Sequence, residues 1–336
     1  MRMIRLVLSG LAAGLVFILG LDCAAAALIG LGGAVNPRMD VATHFAPFWL
    51  AGALVVTAYA AWLAPRDLKV SFATLGVFGV LAAGGVMAPE YLRPMSPTAP
   101  SDAPNRLKLI QFNAWEKNPE IEATAQWLSR QGADVLLVEE GTDPLIDRIA
   151  ALTGYHVTCR TCGVTIFTRL PPEPDPPRPK GSPSDRDRYT RSEWLARPPA
   201  TEARIRFAGR PVTVVATHTV WPTHPAWQRL QGRFLADRLA KHDKTLTILA
   251  GDFNSTPWSF SRRREDRAFG LERRDRALFT WPARLILDGK VTLPFPFLPI
   301  DHVYAGSDWR TVKVRRGPRL GSDHYPVIVT LALKPD

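Results

Sequence analysis

Cysteine is scarce in this chain, with three in 336 residues. Cys159 and Cys162 form a single CxxC with no second pair, which gives a zinc site little support. A local disulfide suits the pair if that part of the chain meets an oxidising compartment, and redox catalysis does not follow from it. Acidic residues are also short, 31 against 42 lysines and arginines, for a formal charge of +11. Six of the basic and five of the acidic residues fall within 1–104, which leaves +10 on the remainder. Such an excess favours polyanions: nucleic acid, anionic lipid headgroups or phosphorylated small molecules. It does not choose among them, and an arginine-rich composition alone would also produce it. No internal repeat is visible beyond alternating strand and helix patterns.

The first hundred residues are nearly neutral, and long stretches of them carry little or no charge. Residues 6–35, 45–64 and 70–88 are three apolar runs, each long enough for a helix to cross roughly 30 Å of hydrocarbon. Small residues such as Gly76, Gly79, Ala82 and Ala83 suit close helix packing in lipid. A cleaved leader could explain the first run, with Cys23 to Ala26 as the cut site, but not the other two. Arg2 and Arg5 precede the first run and Arg66 and Lys69 separate the second from the third, whereas 36–44 carries only Arg38. By the positive-inside rule the N-terminus is cytoplasmic. Three crossings then put the rest of the chain outside, in the periplasm of a Gram-negative cell. Residues 1–88 therefore read as a three-helix transmembrane region. Residues 89–104, with Pro89, Pro94, Pro97, Pro100 and Pro104, read as an extended linker, and 105–336 as a separate domain.

In that domain apolar strands repeatedly end in a polar side chain. The sharpest case is 246–258, where Leu246 to Ala250 lead into Gly251-Asp252-Phe253-Asn254 and the run stops at Pro257. On an extended backbone Asp252 and Asn254 share a face, suited to a divalent cation or a phosphoryl group. A plain Asx turn fits that segment equally well. Further strands run 107–113 to Asn113, 134–140 to Glu139 and Glu140, 163–169 to Arg169, and 212–217 to His218. Asp301 and His302 open another, and Asp323 and His324 precede the last, 326–333. Helices are expected over 119–131, with Asn118 as cap, 144–153 and 227–242. A hairpin is expected around Gly209-Arg210. Residues 171–193 are too proline-rich and charged to bury and read as a surface loop. Residues 262–276 read as a solvated, arginine-rich helix or loop. Taken singly, Asn113 could be a turn residue and Glu140 a helix-start acid. Arg169 aside, six strands in one domain with a candidate ligand or acid/base at one end are hard to obtain by accident.

The series resembles the endonuclease/exonuclease/phosphatase superfamily, over about 105–333. Gly251-Asp252-Phe253-Asn254 and Ser322-Asp323-His324 match its most specific motifs. Leu137 to Glu140 matches a strand that usually ends Gln-Glu, with Glu139 in place of Gln. Residues 166–169 resemble a strand ending Ser-Arg, and 300–303 the Ile-Asp-His/Tyr strand. Bacterial members with three N-terminal helices resemble the whole layout. The resemblance implies an α/β fold, a four-layer αββα sandwich of two packed sheets, preceded here by the all-α transmembrane segment. It also implies Mg²⁺, or Mn²⁺ in its place, held by Glu140, Asn113 and Asp323, since a hard cation takes oxygen ligands. His324 would deprotonate the attacking water, oriented by Asp301, with His218, Asp252 and Asn254 completing the catalytic set. Asn254, His218, Trp221 and Arg169 would contact the substrate. Trp221, Trp258 and Trp281 flank the expected rim and could stack a base or lipid, or simply pack.

The expected function is a membrane-anchored phosphoester hydrolase acting on nucleic acid ahead of phospholipid. One rival is a catalytically silent binding module, against which the complete acid/base set argues. The other is a transporter or sensor, for which the helices lack buried charge. Substrate identity and oligomeric state are not legible in the sequence.

Overall fold

In the computed structural model, residues 2–174, 189–283, 286–287, 290–291 and 295–335 are described. The chain divides into two compact units, Met1–Arg93 with Thr256–Arg263, and Pro94–Ser255 with Arg264–Asp336.

The first unit is built on the apolar runs. They form α1 (Arg2–Gly32), α2 (Ala46–Trp62) and α3 (Lys69–Leu92), with a 3-10 turn at Met39–Phe45 ahead of α2. Three segments, Val7–Gly32, Met39–Trp62 and Lys69–Leu92, are long and apolar enough to cross a membrane. Small residues set the spacing between α2 and α3. A Cβ built on Gly76 would lie 2.7 Å from the Thr57 backbone nitrogen, so only glycine admits that approach. Pro89 sits inside α3, which continues to Leu92.

The second unit contains two mixed sheets. Its elements in order begin with β1 (Arg106–Asn113), α4 (Ile121–Arg130), β2 (Val135–Glu139), α5 (Asp143–Thr153), β3 (His156–Thr158) and β4 (Val164–Thr168). They continue with α6 (Arg191–Leu195), β5 (Ala200–Phe207), β6 (Arg210–His218), α7 (Pro225–Leu239) and β7 (Ile248–Asp252). Helix α8 (Phe260–Phe269), which starts in the first unit, leads to β8 (Glu272–Arg273), then β9 (Ile286–Leu287) and β10 (Lys290–Val291). Strands β11 (Asp301–Ala305), β12 (Trp309–Arg316) and β13 (Val327–Leu333) complete the chain. One sheet has the order β12-β13-β1-β2-β4-β3, the other β5-β6-β7-β11-β8, and β9 pairs β10.

Alternate residues of the two larger sheets meet between them, among them Leu107, Leu109, Val135, Leu137, Val214, Ile248, Val303 and Val329. The opposite face of the first sheet buries Phe112, Leu136 and Val138 against Ala125 and Leu128 of α4 and Ile146 and Ile149 of α5. The opposite face of the second buries Leu249 and Tyr304 against Leu235 and Leu239 of α7. This is the expected four-layer αββα sandwich. Within it β1 pairs β2 and β6 pairs β7 in parallel, while the other pairs are antiparallel.

Several local expectations need correction. Asn118 does not cap α4. Its Oδ1 accepts from the Glu120 amide and its Nδ2 donates to the Ala114 and Leu320 carbonyls, so it ties the turn before the helix to the chain ahead of β13. The proline-rich stretch is not all loop, because Thr190 and Glu193 form a reciprocal capping box that starts α6. Residues 175–188 of that stretch lie outside the described residues. The hairpin turn is Ala208-Gly209, both at positive φ, with Phe207 opposite Arg210. Arg262, Arg273 and Arg274 are buried rather than solvated. Arg274 Nη2 donates to the Ala305 and Gly306 carbonyls, which satisfies the end of β11. The disulfide expected between Cys159 and Cys162, by contrast, is present.

Candidate active site

Parallel pairing carries the ends of four strands to one edge. In register, Asn113 of β1 lies opposite Glu139 of β2, and His218 of β6 opposite Asp252 of β7, which also faces Asp301 of β11. Ligand sites of mixed α/β sheets form at such carboxyl-terminal strand ends. One acid and one amide that leave the strands are aimed by unusual backbone. Glu140 and Asn254 both hold left-handed conformations, φ 51° and 46°, which for Glu140 costs on the order of 1–2 kcal/mol.

The side chains form one connected set. Asn113 Nδ2 donates to Glu140 Oε1 (3.0 Å) and to Asp252 Oδ2 (3.1 Å). His218 Nε2 lies 3.5 Å from Asp252 Oδ2, 3.7 Å from Glu140 Oε1 and 3.2 Å from Asn254 Nδ2. His324 Nδ1 donates to Asp301 Oδ2 at 2.9 Å, and its Nε2 stands 3.6 Å from Asp252 Oδ2. Asp301 Oδ1 in turn accepts from Gln111 Nε2 (2.8 Å), which also reaches Glu139 Oε2 at 3.1 Å. Ser322 fixes the His324 loop: its hydroxyl donates to the Asn113 carbonyl and accepts from the His324 amide.

Burial governs the electrostatics. Asp252, Asp301, Glu139 and His324 are all nearly inaccessible to water, where an unpaired charge is expensive. Burial alone would push the His324 imidazolium down. The carboxylates of Asp301 and Asp252, the hydrogen bond to Asp301 and the charge of Asp323 outweigh it and raise His324 to about 10. Burial, with Asp301 and Asp252 close by, holds Glu139 well above the ordinary carboxyl range. Behind the site His302 sits between Asp275 Oδ2 (2.8 Å) and the Ser255 carbonyl (2.9 Å), so both ring nitrogens face oxygen acceptors. Although burial opposes it, His302 with help from Arg273 and the Val303 amide holds Asp275 down at about 2.

The donor set fits a hard divalent cation. Asp252, Asp301 and His324 present ligand atoms within 4.8 Å of one another. Glu140, whose side chain is 30 % exposed, adds a carboxylate with room for metal-bound water. The carboxylates of Glu140, Asp252 and Asp301 converge here, a concentration of negative charge that a cation would neutralise.

The structure therefore brings Asn113, Glu140, His218, Asp252, Asn254, Asp301 and His324 together. Asp323 lies beside them but turns its carboxylate to Trp281 Nε1 (3.0 Å). Trp221, 53 % exposed, packs edge-on against Trp281 with centroids 6.1 Å apart. One expectation fails. Arg169 follows β4, which runs antiparallel to β2 with Thr168 opposite Val135, so it emerges at the sheet edge opposite Glu140 and pairs with Asp134 at 2.9 Å. Of the two readings open for Trp258, packing is the one that holds, for it is fully buried. Gln111 and Asp275 escaped the sequence reading. Gln111 alternates within an apolar strand, which was a usable signal, whereas Asp275 sits in an arginine-rich run and resembles a surface charge.

Solved structures similar to this chain include three at low identity. An endonuclease/exonuclease/phosphatase from Beutenbergia cavernae is 19% identical over 68% of this chain and 72% of its own, with TM-score 0.48. Sphingomyelinase C from Streptomyces griseocarneus is 18% identical over 67% of this chain and 99% of its own, with TM-score 0.47. Truncated TDP2 from Caenorhabditis elegans is 16% identical over 67% and 97%, with TM-score 0.48. No curated protein sequence matches. The model of the Endonuclease/Exonuclease/phosphatase family matches residues 110–324, from β1 to the histidine at the centre of the site. With most of its length so matched, the chain belongs to the endonuclease/exonuclease/phosphatase family.

Proposed function

We propose that the chain is a membrane-anchored, divalent-cation-dependent phosphodiesterase with nucleic acid as its preferred substrate class. The observation that carries this reading is the His324–Asp301 pair, facing Asp252 across 3.6 Å beside the linked Asn113 and Glu140. Glu140 and Asn113, with Asp252 or Asp323 beside them, would hold Mg²⁺ or Mn²⁺. Bound there, the cation neutralises phosphate charge and supports the developing negative charge. His324 takes a proton from water at Nε2 while Asp301 holds Nδ1–H and stabilises the imidazolium. The water oxygen bonds to phosphorus as the ester P–O bond breaks, and the leaving oxygen takes a proton from His218 or solvent. Asn254 and His218 orient the phosphate. The +10 charge on 105–336 favours a polyanion, and Trp221 offers an exposed ring for a base to stack on.

The positive residues flanking the first two helices support an extracytoplasmic catalytic unit, periplasmic in a Gram-negative inner membrane. The test is hydrolysis by the full chain with Mg²⁺ of DNA, RNA, sphingomyelin and inositol phosphates. Nucleic acid should turn over fastest, with an apparent affinity that falls steeply as salt rises. Faster turnover of sphingomyelin would move the assignment to phospholipid.

A further inference from the structure

The first unit joins two stretches that are remote in sequence, Met1–Arg93 and Thr256–Arg263. The bonds between them gather on the 3-10 turn Met39–Phe45 that precedes α2. Both carboxylate oxygens of Asp40 are used: Oδ1 accepts from the Phe260 amide (2.9 Å) and Oδ2 from the Ser261 amide (2.7 Å). A carboxylate 220 residues away thus satisfies the open amides at the start of α8. Trp258 Nε1 donates to the Thr43 carbonyl at 2.8 Å. The Thr256 amide donates to His44 Nδ1 (3.1 Å), and the Thr256 hydroxyl lies 3.0 Å from the same nitrogen. Asp40, Thr43, His44, Thr256 and Trp258 are all buried, so these bonds are shielded from competing water.

This clamp begins at Thr256, four residues beyond Asp252, the end of the active-site strand β7. Asn254, whose amide meets His218, is two peptide bonds from Thr256, and the intervening Ser255 carbonyl accepts from His302. Asn254 also holds a left-handed conformation that its surroundings must maintain. We infer that Asp40 and His44 are positioning residues for the proposed hydrolysis. They fix Thr256 to Ser261 and, through the backbone, hold Asn254 in its place against His218. The membrane part then contributes to catalysis as well as to anchoring. The inference rests on the hydrolase reading.

The test uses the full chain in detergent with Mg²⁺ and bis(4-nitrophenyl) phosphate, together with amide hydrogen exchange. Asp40→Ala and His44→Ala should lower kcat about tenfold with KM held within about twofold, as expected for a misplaced orienting group. Exchange should quicken at Thr256 in the histidine variant and at Phe260 and Ser261 in the aspartate variant. His44→Gln and Asp40→Asn, which keep an acceptor oxygen, should restore part of both, and they carry the comparison if the alanine variants fail to fold. Faster exchange with unchanged kcat would overturn the inference and leave a plain tether. Unchanged exchange would overturn the clamp itself. A wild-type chain with no turnover, its exchange still protected, removes the hydrolase reading and this inference with it.

Discussion

His324 lies between two buried carboxylates, and its protonation state links stability to catalysis. Its value of about 10 stands above the ordinary 6.5. A folded-state value raised in this way contributes stability that is complete below about 6.5 and lost as pH rises through about 10. The stability contribution that His324 makes over His324→Gln should therefore be fullest below about pH 6.5 in cation-free protein and shrink steadily towards pH 10. The same imidazole must be neutral to accept a proton from water, so a cation among the carboxylates should bring its titration down. Histidine NMR checks both: a free-protein titration near 10 that falls on adding Mg²⁺ is expected, and one near 6.5 that ignores Mg²⁺ would contradict it. At this scale the sequence was informative where a polar residue borders an apolar run, ending it at Asn113, Glu140 and Asp252 and preceding it at His324. Arg169 follows the same pattern and misled, because strand direction decides which edge a terminal residue reaches, and the antiparallel pairing of β4 with β2 cannot be read from one strand. Asp40 and His44 carried no signal at all, since their partners lie more than 200 residues away.

Strand β7 delivers Asp252 only because β6 and β7 approach unusually closely. A Cβ added to Gly251 would lie 1.8 Å from the Thr217 carbonyl oxygen, which is backbone and cannot swing aside. Gly251→Ala should cost about 2–4 kcal/mol and carry Asp252 away from Asn113, lowering both the unfolding temperature and turnover. Gly84→Ala, which meets nothing within 4 Å, serves as the neutral comparison. An unchanged unfolding temperature for the Gly251 variant would show that the two strands separate at no cost. Most elements were legible from periodicity to within a few residues, because each buries one face. Helix α6 was hidden in a proline-rich, charged stretch whose composition outweighs a five-residue helix, although its Thr190–Glu193 capping box was present to be read. The arginines after α8 looked solvated because charge was counted without the β11 carbonyls that Arg274 satisfies.

For the whole molecule, composition separated an apolar helical part from a basic α/β part, but the sandwich came from family resemblance. Periodicity does not say which strands share a sheet or that two parallel pairs share an edge. Three crossings, as proposed, would put the loop after α1 and Thr256–Arg263 on one side of the bilayer, in agreement with the bonds between Asp40 and the Phe260 and Ser261 amides. A reporter fused at the C-terminus should be active only outside the cytoplasm, and a cytoplasmic signal would reverse that orientation. On the proposed positioning role of Asp40 and His44, activity should belong to the full chain. The most direct measurement is Mg²⁺-dependent cleavage of linear DNA by that chain, beside Glu140→Ala and His324→Ala. Wild type should cleave, and each variant, still folded, should lose at least about 10²-fold in turnover. Folded variants that cleave as fast as wild type, or a wild type inert toward every phosphoester offered, would contradict the account.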